Sequence, residues 1–570
     1  MSYKAPLSEF RFLYSHVVGL DQVAATPLFA ESSDDLIEAI LSEAGRLCEE
    51  TLAPLNRSGD KNPARLENGV VRTSPGFAAG YRAIAEGGWV GMSADPAYGG
   101  MGLPMAVASV VNEMMASSCM ALQLNPMLTH GQIEALEHHA SDAIKALYLP
   151  KLISGDWCGT MNLTEPHAGT DVGALRSRAE PLGDGSYGVT GQKIFITWGD
   201  NDFSANVCHL VLARLPGAAP GTRGISLFMV PKFIPDAEGH PGKRNSLSVV
   251  SLEHKLGVHG SPTAVMQFDA ATGWLVGAEN GGMAAMFTMM NNARLGVGVQ
   301  GVAIAEAAYQ QALTYALDRR QGKTPLSAKG PIADHADVRR MLAVMKADVF
   351  SARAIALSCA VAIDMARATG SADWQAKAAL LTPIAKAFGS DVGNDVAQMG
   401  VQIHGGMGFI EETGAAQYAR DVRITSIYEG TNGIQAMDLV GRKMMDGGDA
   451  ALRLIEDIQR GAVAARGRLS GLADDVWNAA EVLREATDNL VGQEMNDRFA
   501  GAVPYMRAFA RVLGAHFHLK AALAETSAGP RLALAKVAIR RLLPEFAPLL
   551  GQAQLGAADL YALSDGDLCA

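Results

Sequence analysis

The sequence has few charged and few aromatic side chains for its length. Of its 570 residues, 19% are charged and 6% are aromatic, whereas 49% are hydrophobic, and the mean hydropathy is +0.10. One compact core cannot accommodate a chain of this length, so three or four domains are expected. Because so little charge is available to cover the surface, we expect part of that surface to be buried in an oligomer.

An excess of positive charge is also absent. The net charge is −11, the sequence pI is about 5.7, and residues 446–570 contain 13 basic and 16 acidic residues. The N-terminal MSYKAPLSEFRFLYSHVVGL lacks the apolar core of a signal peptide, and apolar runs such as LGVGVQGVAIA are shorter than the ~20 residues of a membrane span. We therefore expect a cytoplasmic protein with no nucleic-acid partner and no membrane span.

Cysteine pairs and several catalytic motifs are missing. The six cysteines show no CxxC or metal-ligand spacing, so we expect buried free thiols in a reducing compartment. The sequence contains no P-loop, no GxGxxG after a strand, no GxSxG and no HExxH. His404 has no second ligand at metal spacing, so no metal site is predicted.

The residue patterns divide the chain into five parts. Apolar residues at helical spacing fill 35–156, short runs rich in Val, Ile, Phe and Thr fill 157–278, and Ala/Leu/Met stripes fill 279–446. We predict an α+β multidomain fold with an N-terminal extension (1–34), an N-terminal helical domain, a middle antiparallel β domain, a C-terminal helical bundle and an extra C-terminal helical domain (447–570).

Four short motifs carry candidate binding chemistry, and each alone has an ordinary structural explanation. MNLTEPHAGTD (161–171) offers hydroxyls and backbone amides to a polar heterocycle, and GQKIFITWGDN (191–201) places an aromatic and a hydroxyl side chain on one face of a strand. QIHGGMGF (402–409) allows close approach of a phosphate or ribose, and ALDRRQGK (316–323) is basic at a helix end. Ordinary turns, barrel residues and solvated helix ends share these patterns.

A fifth motif, SIYEGTNGIQ (426–435), contains a single carboxylate, Glu429, before a Gly-Thr-Asn-Gly run. Turn-forming residues directly after the acid indicate that the neighbouring backbone N–H groups are not taken up by a helix. The acid and its own amide are therefore both expected to be free to bind a ligand.

In their order and spacing, with Glu429 27 positions after Gln402, the five motifs resemble those of the FAD-dependent acyl-CoA dehydrogenases. The resemblance covers residues 35–445. YKAPLSEFRFL near the N-terminus and the long C-terminal extension are similar to a subgroup that includes 3-methylmercaptopropionyl-CoA dehydrogenases and broad-range bacterial enzymes. The resemblance implies oxidation of short- to long-chain fatty acyl-CoA, as in fatty acid β-oxidation, or of 3-methylmercaptopropionyl-CoA, to the trans-2-enoyl-CoA.

The resemblance also implies that FAD lies between the β domain and the C-terminal bundle. It places Met161, Leu163, Thr164, Thr170, Phe195 and Thr197 beside the flavin, and Thr431 and Asn432 against FAD just after the acid. It implies that Gln402, Gly405 and Gly406 hold the ADP part of FAD bound mainly to the neighbouring subunit, with Arg319 and Gln321 at the pyrophosphate and His335 as a further contact. The loop TPLSAKGPIAD before His335 departs from the family's length.

For the reaction, the resemblance makes Glu429 the base that removes the pro-R α-proton while the β-hydride passes to flavin N5. Hydrogen bonds from the Glu429 N–H and a flavin ribityl hydroxyl would stabilise the developing enolate, and exclusion of water would raise the carboxylate pKa. Thr170, Asn291, Arg294 and Gly430 match substrate-binding positions, and Ala121–Gln132 matches the acyl-pocket segment. The family's alternative position for the base is occupied here by Ala293.

The resemblance implies an acyl-CoA substrate and electron-transferring flavoprotein as the electron acceptor. We predict a homodimer, because the extra helical domain is expected to cover the face through which shorter relatives pair dimers into tetramers. One alternative is an acyl-CoA oxidase, which shares the base and the flavin but is reoxidised by oxygen. Another is a DNA-associated flavoprotein of the same fold, which the net charge of −3 in residues 446–570 disfavours.

Overall fold

The N-terminal part of the chain is helical, with one small hairpin, in the computed structural model, which describes residues 3–525 and 529–569. The helices are α1 (Leu7–Leu13), α2 (Leu20–Ala24), α3 (Asp34–Leu47), α4 (Ala53–Lys61), α5 (Phe77–Glu86), α6 (Met105–His139) and α7 (Asp142–Ile153). Helix α3 begins where the Ser33 side chain accepts a hydrogen bond from the Leu36 N–H at 3.3 Å. The hairpin pairs β1 (Arg65–Glu67) with β2 (Val70–Arg72), which the helical pattern did not predict.

The middle domain consists of a seven-stranded sheet and a two-stranded sheet. The strands are β3 (Trp157–Asn162), β4 (Arg178–Pro181), β5 (Tyr187–Thr197), β6 (Asn206–Ala213), β7 (Ser226–Pro231), β8 (Phe233–Pro235), β9 (Pro241–Arg244), β10 (Leu247–Leu252) and β11 (Thr263–Val276). The larger sheet has the order β3-β6-β7-β11-β5-β4, with β10 also paired to β11, and β8 pairs with β9. These strands pair antiparallel except β3 and β6, which are parallel. Parallel strands need a long crossover connection, and here that connection contains β4 and β5.

Three long helices form the C-terminal bundle, and two of them approach closely through glycines. The helices are α8 (Gly282–Asp318), α9 (Ala336–Thr369), α10 (Ala372–His404), α11 (Ala415–Val422) and α12 (Asn432–Gly441). A Cβ at Gly298 of α8 would lie 2.5 Å from the Ala385 carbonyl oxygen, and one at Gly389 of α10 would lie 2.4 Å from the Gly298 oxygen. Because these glycines have no side chains, the backbones of α8 and α10 are in contact. This close packing places Arg294 of α8 and Lys386 of α10 on adjacent helices.

The extra C-terminal domain shares the hydrophobic core of the other helical domains. Its helices are α13 (Asp449–Gly492), α14 (Met495–Ala524), α15 (Pro530–Val537), α16 (Phe546–Ala553) and α17 (Asp565–Cys569). Helix α14 packs against α9 and α12, and Arg531 of α15 pairs with Glu9 of α1 at 2.6 Å. One core extends from the N-terminal helices into this domain, and a second lies within the β domain. The predicted fold class is confirmed.

Two helices in the described part of the chain, α6 and α9, are long and apolar enough to cross a membrane. Their most apolar segments are 89% and 83% buried inside the protein. The expectation from the sequence considered only uninterrupted apolar runs. In both helices the apolar stretches are interrupted by polar residues, so no uninterrupted run reached the length of a membrane span. Helices that are apolar on all sides also form the cores of large proteins, and both of these helices pack against α8.

Candidate active site

The candidate catalytic acid lies in a left-handed turn directly before α12. Glu429 has φ +57° and Gly430 has φ +83°, and a non-glycine residue adopts this conformation at a cost of about 1–3 kcal/mol. The buried Gln435 side chain holds the turn, because its Nε2 donates to the carbonyl oxygens of Glu429 at 3.0 Å and Gly430 at 3.3 Å. Thr431 caps α12 by accepting from the Ile434 N–H at 3.3 Å.

The N–H and the carboxylate of Glu429 make no hydrogen bond or ion pair within residues 3–525 and 529–569. Burial raises the pKa of this carboxyl to about 7, while the nearby cations of Arg294 and Lys386 oppose the rise. A half-buried carboxylate whose pKa is near neutral is well matched to accepting a proton at cellular pH. One residue therefore presents a base and a free hydrogen-bond donor.

Two buried cations lie near this acid on different helices. Arg294 of α8 pairs with Asp438 of α12 at 3.5 Å and donates to the Asn291 side chain at 3.4 Å, and its Nε has no partner in the described chain. Lys386 of α10 is fully buried, and its Nζ donates to the Asn432 Oδ1 at 2.9 Å. Burial lowers the pKa of both cations, to about 8 for Lys386.

A chain of polar side chains connects the base turn to α8 and α6. The Tyr428 hydroxyl donates to the Gln300 Oε1, and the Gln300 Nε2 donates to the Gln123 Oε1 at 2.9 Å. The Gln123 Nε2 in turn donates to the Asn112 Oδ1 at 3.0 Å. The segment that the sequence assigned to the acyl pocket, Ala121–Gln132, thus lies on α6 and reaches the base turn through Gln300.

The predicted flavin-side residues come together where β3 and β5 end. The Ile194 N–H donates to the Thr164 carbonyl oxygen at 2.9 Å, and the buried Lys193 donates to the Leu163 carbonyl oxygen at 3.0 Å. Phe195 is 59% exposed with φ +61°, at a bulge in the pairing of β5 with β11. Met161, Leu163, Thr164 and Thr197 are half-buried, and Thr170 is exposed. The exposed ring leaves a surface that a flat aromatic group can cover.

The predicted ADP-side residues form a second cluster where α8 and α10 end. The Tyr315 ring of α8 stacks on the buried His404 ring of α10 with centroids 4.4 Å apart, which brings the two helix ends together. The exposed residues of this cluster are Arg319, Gln321, Gln402, Gly405 and Gly406. A Cβ at either glycine would meet no atom within 4 Å, so a ligand can approach their backbone. The His335 Nε2 lies 2.9 Å from the Gln321 carbonyl oxygen.

The structure groups most of the base-side residues around α12. Glu429, Gly430 and Thr431 belong to one turn, and Arg294 acts on it from α8. Asn291 is bonded to Arg294, whereas the half-buried Asn432 side chain is bonded to α10. No hydrogen bond described for the chain joins this group to either of the other two clusters.

Sequence reasoning overlooked Lys386, Gln435 and Gln300. A single lysine in the apolar LTPIAKAFG of α10 was an available signal for a buried cation. The two glutamines gave none, because a buried amide and a surface amide look the same in a sequence.

Comparison with known proteins identifies all four large domains. Family models match at residues 35–156 (acyl-CoA dehydrogenase, N-terminal domain), 160–271 (acyl-CoA dehydrogenase, middle domain), 280–445 (acyl-CoA dehydrogenase, C-terminal domain) and 454–564 (acetyl-CoA dehydrogenase C-terminal like).

Curated and solved relatives agree with these matches. The chain is 47% identical over 524 residues to the 3-methylmercaptopropionyl-CoA dehydrogenase of Ruegeria pomeroyi, covering 89% of this chain and 88% of the relative. An acyl-CoA dehydrogenase of Bacillus anthracis, solved with FAD, shares the fold with a TM-score of 0.76 at 21% identity, covering 100% and 94%. A chain in the structure described as the electron transferring flavoprotein of Acidaminococcus fermentans is 26% identical, with a TM-score of 0.60 and coverages of 72% and 98%.

The domain matches and the 47% identical relative agree with the order of motifs in the sequence and with the domain order in the structure. The chain belongs to the acyl-CoA dehydrogenase family of FAD-dependent oxidoreductases.

Proposed function

We propose that Glu429 is the base for α,β-dehydrogenation of a short acyl-CoA thioester, with 3-methylmercaptopropionyl-CoA as the first candidate substrate. The observation that carries the proposal is the turn in which Glu429 offers both a free N–H and a free carboxylate. A base for this reaction must remove a weakly acidic C–H, so it needs an oxyanion donor at the neighbouring carbonyl. Both groups come from one residue here.

The proposed chemistry uses this turn in two ways. The Glu429 N–H donates to the thioester carbonyl oxygen and stabilises the negative charge that develops there, while the carboxylate takes the α-proton. The electron pair of the broken C–H bond forms the Cα=Cβ double bond as hydride leaves the β-carbon. Bound FAD would supply the acceptor for that hydride. The Arg294 guanidinium opposes the effect of burial on the Glu429 pKa and so favours the ionised base.

The residues of the two clusters suit FAD. The exposed Phe195 ring, with Met161, Leu163, Thr164 and Thr197 beside it, provides an apolar face and hydroxyls for the isoalloxazine. The open glycines Gly405 and Gly406 and the exposed Arg319, Gln321 and Gln402 provide backbone approach and a cation for a pyrophosphate. We assign Thr170 and Thr431 to FAD or substrate from their places at the edges of these groups.

A short acyl group is supported by the relative from Ruegeria pomeroyi, whose named substrate carries a short acyl group. Gln300 lies between the base turn and α6, where its amide is held by Gln123 at 2.9 Å and by the Met127 Sδ at 3.3 Å.

Electron-transferring flavoprotein as the acceptor and a homodimer are further parts of the proposal. The first is what the resemblance to the acyl-CoA dehydrogenase family implies. The second is supported by apolar side chains exposed beside the ADP-side cluster, with Met407 and Phe409 51% and 87% accessible. Five of the six cysteines are buried free thiols, as in proteins of a reducing cytoplasm.

Anaerobic titration of the FAD-loaded protein with acyl-CoA thioesters tests this function. We expect flavin bleaching by 3-methylmercaptopropionyl-CoA and butyryl-CoA, and slow bleaching by long-chain substrates. Bleaching only by long-chain substrates would contradict the choice of a short acyl group. The reduced enzyme is then mixed with electron-transferring flavoprotein or with oxygen, and faster reoxidation by oxygen would identify an oxidase.

A further inference from the structure

The buried lysine of α10 is not explained by the base and cofactor positions. Lys386 is 0% exposed, and the hydrogen bond described for its ammonium goes to Asn432 Oδ1 at 2.9 Å. Burying an ammonium group without a close carboxylate is unfavourable, so the burial of Lys386 requires a compensating negative charge nearby. The carboxylates that act on it are those of Glu429 and Asp391.

Asn432 connects this lysine to the turn that carries the base. It is the first residue of α12, three positions after Glu429. Its Nδ2 donates to the Asp391 carboxylate at 2.7 Å, to Ser390 Oγ at 3.0 Å and to the Ala387 carbonyl oxygen at 3.3 Å. Because Lys386 donates to the Asn432 Oδ1, both the oxygen and the nitrogen of the Asn432 amide are bonded to α10. These bonds fix the first residue of α12 against α10.

The cations that act on Glu429 come from two helices, α8 and α10. Arg294 reaches it from α8 and is partly neutralised by Asp438, which also pairs with Arg442 at 2.6 Å. Lys386 reaches it from α10, where Asp391 is close to Arg507 of α14 and to Asp395. Among the described residues Lys386 forms no ion pair, so its positive charge acts on Glu429 beside that of Arg294.

We propose that Lys386 is a positioning residue for the base: it fixes the Glu429 turn through its hydrogen bond to Asn432, and its positive charge acts together with that of Arg294 to favour the ionised Glu429 carboxylate. This inference rests on the proposed function of Glu429. A lysine that only joined α10 to α12 would affect folding and the overall rate, but it would not affect the pH at which the base becomes active.

The test is the pH dependence of flavin reduction in Lys386→Met and Lys386→Arg, measured anaerobically by stopped flow at low substrate. The base acts as a carboxylate, so the rate rises with pH through its pKa. Loss of the cation raises that pKa, and we expect Lys386→Met to be about tenfold slower than wild type at pH 6 and close to it at pH 9, a shift of about one unit. Lys386→Arg keeps the charge and should restore the wild-type profile.

The matched control is Lys377→Met, which removes another largely buried lysine of α10 that lies beside Asp457 at 3.8 Å. Its profile should equal that of wild type. An unshifted profile in Lys386→Met, or a loss that is equal at every pH, overturns the proposal. If Lys386→Met does not fold, Lys386→Gln, which keeps an amide for Asn432, takes its place under the same two outcomes. Failure of wild type to bleach with any acyl-CoA would instead refute the proposed function.

A second readout does not depend on turnover. Calorimetry of the holoenzyme with a non-oxidisable acyl-CoA thioether, in two buffers of different ionisation enthalpy, measures the protons taken up on binding. Wild type should take up protons near pH 7 to 8, as exclusion of water raises the Glu429 pKa. In Lys386→Met the maximum should move to higher pH, and an unmoved maximum would contradict the role of the charge.

Discussion

Removal of the Gln435 amide tests how the strained turn is held. Gln435→Met keeps the length and most of the volume of a fully buried side chain but deletes the Nε2 that donates to the Glu429 and Gly430 carbonyl oxygens at 3.0 and 3.3 Å. Two lost hydrogen bonds correspond to about 1–3 kcal/mol. That is comparable to the cost of holding Glu429 at φ +57°, so the turn should relax and the N–H should lose its direction.

The relaxed turn should stabilise the transition state less by the same amount, about 1–3 kcal/mol. Flavin reduction should therefore slow by about ten- to hundredfold, since each 1.4 kcal/mol of activation free energy corresponds to about tenfold in rate. Anaerobic stopped-flow bleaching measures the rate, and the flavin-to-protein ratio and a melting curve show whether the protein remains loaded and folded. The matched control is Gln459→Met, which deletes a similar amide donor to Glu481 at 2.9 Å in α13. A folded, flavin-loaded Gln435→Met that reduces its flavin within twofold of wild type would refute the reasoning.

Three other predictions concern the base, the cofactor and the extra domain. Glu429 must be ionised to act as the base, and its pKa is about 7. Wild-type flavin reduction at low substrate should therefore rise with pH and reach about one tenth of its full rate at pH 6. A rate that does not change with pH would exclude Glu429 as the base. Arg319→Ala should lose about 2–3 kcal/mol of FAD binding and lower the melting temperature, and full flavin occupancy on purification would count against its assignment. Truncation after Gly447 should give aggregated protein or a tetramer, because it removes α14 from α9 and α12. Light scattering of the full chain should give twice 59.9 kDa rather than four times that mass.

The sequence predicts the domain order and the base turn because both depend on local patterns. Helical stripes, short β-rich runs and glycine-rich connections can each be recognised within a window of about ten to twenty residues. The turn after Glu429 could be predicted for the same reason, since Gly430, Thr431 and Gly433 follow it directly. The order and spacing of the five motifs together indicate the family, which no single motif does.

The remaining features depend on contacts between distant segments. The sequence does not show that Lys386 meets Asn432, 46 residues later, or that Tyr428 reaches Gln300, 128 residues earlier. It also gives no sign that β3 pairs with β6 in parallel, since strand direction depends on the path of the chain between them. Likewise, the contact of Arg531 with Glu9 joins the two ends of the chain through tertiary packing.

The most direct test of the account is anaerobic reduction of the flavin in Glu429→Gln by 3-methylmercaptopropionyl-CoA. The amide keeps the size of the side chain and the backbone N–H but cannot accept the α-proton, and the alternative base position is Ala293. We expect the variant to retain FAD and to bind the substrate, and to reduce its flavin more slowly than wild type by more than the ~10²–10⁴ of ordinary general-base loss. A variant that bleaches near the wild-type rate would show that Glu429 is not the base.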